Sequence, residues 1–238
     1  MNLAAGFAAF VKATLLCGAI FSFGCAQSGL ADDLPLPPRR PAIVQPPSAA
    51  AQGAAGSACA GLLRDKWVEG DLLPDVIGAD GCGIGSPLLL KAILLENGNR
   101  IPVAPPALMH CTLAATLAQW VRADVVPALE GGNLRLTGLA SAGGYECRGR
   151  NRVASAVPSA HGHGNAIDIS AFAVTPGPPL AIASQNASRD LFQKIRQSAC
   201  ARFMTVLGPG SDGLHETHMH LDMQERRSGT HFCQWQIK

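Results

Sequence analysis

The chain has 238 residues, of which 47% are hydrophobic and 15% charged, with a formal net charge of +2. That is enough apolar material for one folded domain plus extra segments, and it excludes wholesale disorder. With no basic run and no aromatic-studded basic patch, nucleic acid is excluded as the expected partner.

Residues 1–31 read as an export signal: Lys12 is the one charge before Asp32, and 13–26 is an apolar stretch. Two endings compete. Gly29-Leu30-Ala31 offers small residues for a signal peptidase, and Gly24-Cys25 resembles a lipoprotein site at which Cys25 would carry lipid. A retained membrane anchor is the third reading, because the segment is apolar enough to span. Each ending places the domain outside the cytoplasm, in the periplasm or cell envelope, with membrane attachment through the signal or Cys25 left open. Residues 32–57 carry six prolines between Pro35 and Pro47 and form an extended linker.

The folded domain is expected over 58–238, as a monomer. A short helix is predicted over 62–69, and 80–87 is glycine-rich turn material. Residues 88–95 and 100–103 predict a hairpin around Asn97-Gly98. The apolar spacing of Leu108, Leu113, Leu117, Trp120 and Val121 predicts a helix over 106–123, with Pro105 and Pro106 at its start and His110 inside it. Strands are expected over 133–139, 166–172, 205–207 and 218–222, and a second long helix over 188–203. The fold class is α+β: a small antiparallel sheet carrying a metal site, flanked by helices and stapled by disulfides. If Cys17 and Cys25 leave with the signal, the eight cysteines of the sequence become six, widely spaced and without a C-x-x-C pair, which favours disulfides over a thiolate metal site. Pairing successive segments gives Cys59–Cys82, Cys111–Cys147 and Cys200–Cys233, although spacing alone does not choose among the alternatives.

Five of the seven histidines fall in two short clusters: Ser159-Ala-His161-Gly-His163-Gly164-Asn-Ala166-Ile-Asp168, and His215-Glu216-Thr217-His218-Met-His220-Leu-Asp222. On a strand, His218, His220 and Asp222 share one face while Met219 and Leu221 face the core. Ile167 and Ile169 likewise put Asp168 on the opposite face. Gly162 and Gly164 allow the chain to bend and bring His161 to the same side. His161, Asp168 and His220 then form a His/Asp/His set of the kind that holds Zn2+ with a fourth position left for water. His163 is the alternative ligand in a differently bent loop, and Asp222 is a candidate to orient His220.

The motif Ser-x-His-x-x-Gly-x-Ala-x-Asp followed by His-x-His resembles the signature of the zinc peptidases that include D-alanyl-D-alanine carboxypeptidases and murein endopeptidases. More closely, the chain is similar to bacterial extensin-like C-terminal domain proteins. The further matching stretches are Trp67, Gly81-Cys82-Gly83-Ile84, Tyr145-Glu-Cys147-Arg148, Val206-Leu-Gly-Pro-Gly-Ser211 and Arg226-Arg227. The resemblance implies that His161, Asp168 and His220 hold zinc. It further implies that His218 steadies the reacting carbonyl, that Arg148 stabilises the oxyanion and helps bind substrate, and that Ser159 contacts substrate. Where many such enzymes have a basic carboxylate, this chain has Thr217, so the expected general base is His215, with Glu216 second. The implied activity is zinc-dependent hydrolysis of peptide bonds in peptidoglycan, on stem peptides containing D-amino acids. A non-catalytic wall-binding or structural module is the rival from another class, and a zinc amidase cutting between sugar and peptide is a third reading.

Overall fold

The computed structural model describes residues 58–153, 156–184, 189–226 and 229–237. The expected signal, the linker and Cys25 lie outside the described residues.

A helix over 58–64, here α1, ends in a C-terminal lock. Trp67 N–H donates to the Leu62 carbonyl at 2.9 Å and Lys66 N–H to that of Leu63 at 3.2 Å, with Lys66 at φ +54°. This is the two-bond closure that glycine usually provides. The chain then enters β1 (Val68–Leu72), so the helix expected over 62–69 is corrected to an earlier one. A two-residue pair, β2 (Val76–Ile77) with β3 (Gly83–Ile84), brackets the glycine-rich turn. The hairpin of β4 (Leu88–Leu94) and β5 (Arg100–Met109) forms as expected, closed by Gly98 at φ +82°.

The helix expected from residue 106 is corrected to Cys111–Trp120 (α2), because β5 continues to Met109. Prolines suit a helix start, but Pro105 and Pro106 sit where the β4–β5 register jumps between Leu90 and Ala92. An irregularity of that kind tolerates a residue without an N–H in a strand. His110 is not inside the helix: it is the N-cap, with Nδ1 accepting from Thr112 N–H at 3.3 Å. A π-helical turn, Val121–Val125, follows α2 and leads to α3 (Val126–Glu130). It falls just ahead of Pro127, which has no N–H for a regular helical bond.

The remaining elements are β6 (Arg135–Gly143), β7 (Ala166–Thr175), β8 (Leu180–Ala181), α4 (Arg189–Arg202), β9 (Thr205–Leu207), β10 (Met219–Asp222) and β11 (Phe232–Gln234). Nine strands form one sheet in the order β1-β4-β5-β6-β7-β10-β9-β11, with β8 also paired to β7. The fold is α+β, but its sheet is large and mixed rather than small and antiparallel, since β5–β6 and β9–β11 run parallel. Ile167 and Ile169 of β7 and Met219 and Leu221 of β10 join one apolar core with residues of α2 and α4. In that core Trp120 packs against Phe172 and edge-on to Phe203, with ring centroids 6.3 and 5.6 Å apart. Among the described residues, no helix is long and apolar enough to cross a membrane.

The disulfides are Cys59–Cys111, Cys82–Cys147 and Cys200–Cys233. The last pair agrees with expectation, and the first two are exchanged. Pairing neighbours in sequence presumed local stapling. The structure instead ties α1 to the start of α2, and the turn before β3 to the loop after β6.

Candidate metal centre

Strand register builds the centre. In the antiparallel β7–β10 pair, His220 lies directly opposite Asp168. Their neighbours on either side face the core, so both polar side chains emerge on the other face. His161 arrives on a 3-10 turn, Ala160–His163, that ends at Gly164 with φ +64°. A Cβ at Gly164 would lie 2.3 Å from Ile84 Cδ1, so this turn needs glycine for its φ and for the space. Gly162 lets the same turn press on the Cys82–Cys147 bridge, since a Cβ there would be 3.0 Å from Cys82 Sγ.

His161, Asp168 and His220 thereby come together, all buried. His161 Nε2 is 3.1 Å from His220 Nδ1 and 3.3 Å from Asp168 Oδ1, and His220 Nδ1 is 3.0 Å from that same oxygen. The outer ring nitrogens are taken. His161 Nδ1 lies 2.7 Å from the Gly144 carbonyl, which can only accept, so that nitrogen carries a proton and Nε2 is bare when the ring is neutral. His220 Nε2 lies 3.1 Å from Asp222 Oδ2, which in the same way favours a bare Nδ1. Two imidazole lone pairs and a carboxylate oxygen thus converge on one point. Donors held about 2.0 Å from a tetrahedral centre sit about 3.3 Å apart, so this set fits an ion such as zinc. The orienting carbonyl and carboxylate behind the imidazoles are what metal-binding histidines commonly have.

Without an ion, the centre stores a proton. Burial works against a charged His220, yet hydrogen bonds to Asp168 and Asp222 outweigh it and push its pKa up to about 9. Burial likewise opposes ionisation of Asp168, but His161 and His220 together hold its carboxyl far below the usual range. His218 sits beside the cluster, with Nε2 3.7 Å from Asp168 Oδ2. Burial lowers its pKa first, and the neighbouring histidines add to that against the opposing pull of Asp168, which favours a neutral ring.

Of the other expected site residues, Arg148, Ser159, His215 and His218 surround an adjoining cleft. Arg148, Ser159, His161, His215 and His220 line one cavity of about 170 Å³. Arg148, Asp168, His215 and His218 line a second of about 220 Å³, so the two share Arg148 and His215. Arg148 is held by Glu146, which accepts from its Nε at 2.7 Å and also from Arg152 at 2.8 Å. The backbone folds Arg148 against the turn that carries His161, with Ser159 N–H donating to the Arg148 carbonyl at 3.0 Å. Ser159 Oγ is buried with no hydrogen-bond partner among the described residues. Glu216 is exposed, and its carboxylate accepts from Gly210 N–H at 2.8 Å, away from these cavities. His163 is not among the three converging donors.

Sequence reasoning passed over Asp212, whose Oδ1 is 2.7 Å from His215 Nδ1, and Gly144, whose carbonyl orients His161. The three-residue spacing of Asp212 and His215 was the available signal for the first. A backbone acceptor leaves no signal in residue types. The family model described as Extensin-like protein C-terminus matches residues 57–234. No curated protein and no solved structure matches the chain.

Proposed function

We propose that this chain, which belongs to the extensin-like C-terminus family, is a zinc-dependent hydrolase of peptide bonds in peptidoglycan, acting on D-amino-acid-containing stem peptides in the cell envelope as a carboxypeptidase or endopeptidase. Kinship to the zinc peptidases is part of this reading, supported by the Ser159 to Asp168 motif and the His218-x-His220 pair. One observation carries it: His161, Asp168 and His220 aim three donors at one point, with the tautomers of both histidines set from behind.

A zinc ion held there would supply Lewis acidity, polarising the scissile carbonyl and making the attacking water more acidic. The protein's own groups do the rest. His215 accepts the proton from water and returns it to the leaving amine. Neutral His218 and the Arg148 guanidinium donate hydrogen bonds to the oxygen that gains charge. Ser159 Oγ, buried and unpartnered at the cavity wall, has a hydrogen bond to offer the substrate.

The non-catalytic wall-binding module stays as a second reading because Thr217 is exposed and Glu216 is engaged with Gly210, so neither position offers the cleft a carboxylate base. Purified protein incubated with peptidoglycan fragments, with and without chelator, separates the two. The hydrolase releases new free amines that chelator abolishes. Binding without cleavage, unaffected by chelator, refutes it. Product masses separate peptide cleavage from the amidase.

A further inference from the structure

Asp212 lies outside the two histidine clusters, in the turn between β9 and β10. Its Oδ1 accepts from Leu214 N–H at 2.9 Å and lies 2.7 Å from His215 Nδ1, with Ser211 Oγ at 3.3 Å. His215 is only 13% exposed at its side chain. Its ring stands 5.1 Å from that of His218 and 5.6 Å from that of His220, and it borders both cavities of the cleft. Among the described residues, no protein group is hydrogen-bonded to its Nε2.

We infer that Asp212 is the positioning residue for His215: by accepting the Nδ1 proton it selects the tautomer that leaves Nε2 bare as the base of the cleft. This rests on the hydrolase reading for its catalytic consequence, but not for the tautomer itself. An ionised carboxylate has no proton to give, so the 2.7 Å contact requires the proton to reside on the imidazole Nδ1. A free imidazole side chain favours the opposite form, with the proton on Nε2, which cannot take a proton from water. Asp212 reverses that preference.

Asp212 stays ionised. Burial works to raise its carboxyl, but hydrogen bonds from His215 and Leu214 outweigh that and hold it below its ordinary value. When Nε2 accepts a proton from water, the ring becomes an imidazolium with Asp212 as its counter-ion. The proton then leaves for the departing amine, which restores the neutral ring and the same carboxylate. Asp212 itself is never protonated, in keeping with the general role of a carboxylate behind a catalytic histidine.

The test reads nitrogen chemical shifts of the His215 ring in metal-free protein at mildly alkaline pH, where no turnover is needed. Wild type is expected to show a protonated Nδ1 and a bare Nε2. Asp212→Asn keeps an oxygen in place of Oδ1, and with it the turn and the tautomer. Asp212→Ala moves the proton to Nε2. In the zinc-loaded protein, Asp212→Ala lowers kcat about a hundredfold or more with KM within about twofold. Asp212→Asn falls between the two because it keeps the tautomer and loses the counter-ion. A wild-type ring protonated on Nε2, or an Asp212→Ala variant with wild-type shifts or wild-type kcat, overturns the inference. Wild type with the expected shifts and no cleavage of wall peptides sinks the hydrolase reading while the tautomer assignment stands.

Discussion

Replacing Asp222 by asparagine tests whether the second layer of the centre sets metal affinity. Asp222 is buried and does two jobs. Oδ2 is 3.1 Å from His220 Nε2, and Oδ1 accepts from Gln224 N–H at 3.1 Å. Asparagine has one oxygen for these two donors. If its amide nitrogen faces His220, the ring proton is driven onto Nδ1, the atom that must bind the ion. If it faces Gln224 instead, two N–H groups meet in a buried place. The first orientation imposes the wrong tautomer for the ion and the second sets two donors against each other, and either costs about 1–3 kcal/mol. Expressed through the metal, that is a 10- to 100-fold weaker zinc affinity, about 1.4–2.7 kcal/mol. Competition against a chromophoric chelator, with circular dichroism to confirm the fold, gives the number. Affinity within about twofold of wild type refutes the claim that Asp222 sets the His220 tautomer.

Metal binding should also depend on pH. In the metal-free protein the pKa of His220 stands at about 9, above the ordinary histidine value of about 6.5. An ion arriving at neutral pH therefore displaces about one proton, and affinity rises about tenfold per pH unit between these values. Calorimetry in buffers of different ionisation enthalpy counts that proton. By the same linkage, the contribution of charged His220 to metal-free stability is fully present below about pH 6.5 and is lost as pH rises through about 9. Gly164→Ala is expected to cost about 1–3 kcal/mol, because its Cβ would stand 2.3 Å from Ile84 Cδ1 at a φ of +64° that disfavours side chains; thermal unfolding reads the loss. Replacing Cys200 and Cys233 by serine removes a bridge across 33 residues, a loss of about 3–4 kcal/mol visible in urea unfolding with activity retained in native buffer.

Alternation along two strands made most of the centre legible in the sequence. Met219 and Leu221, like Ile167 and Ile169, have to face the core, so the side chains between them face out. His220 and Asp168 then meet if those strands pair. The extent of the sheet was not legible, because β5, one of its two longest strands, carries Pro105 and Pro106, residues that read as helix starters until a register jump accommodates them. The end of α1 was missed for a related reason: Lys66 takes the left-handed conformation where a glycine would have announced the stop. The first two disulfides failed because contact between Cys82 and Cys147 is made by the packing of two loops 65 residues apart, which no local pattern encodes. Asp212 and Gly144 act through a side chain and a carbonyl whose partners are fixed only once the turns have formed.

Chemistry at the centre requires an ion with an open coordination position rather than one that only holds the fold together, and the fold bears on which this is. A structural metal holds together a domain that cannot fold without it. Here a continuous core reaches from Leu88 through Trp120 to Trp235, and three disulfides tie the chain without help from the centre. Removing the ion does not strand a buried charge either, since His220 takes up a proton between Asp168 and Asp222. Chelation should therefore leave a cooperatively folded protein. With free zinc a thousandfold above its Kd, the stabilisation lost is about 4 kcal/mol, a drop in Tm of roughly 8–16 °C for a domain of this size. Near-ultraviolet circular dichroism of the chelated protein at room temperature should match the loaded form. If that signal and the cooperative transition disappear with the ion, the ion is holding the fold together, and the case for a centre built to exchange its ligands goes with them.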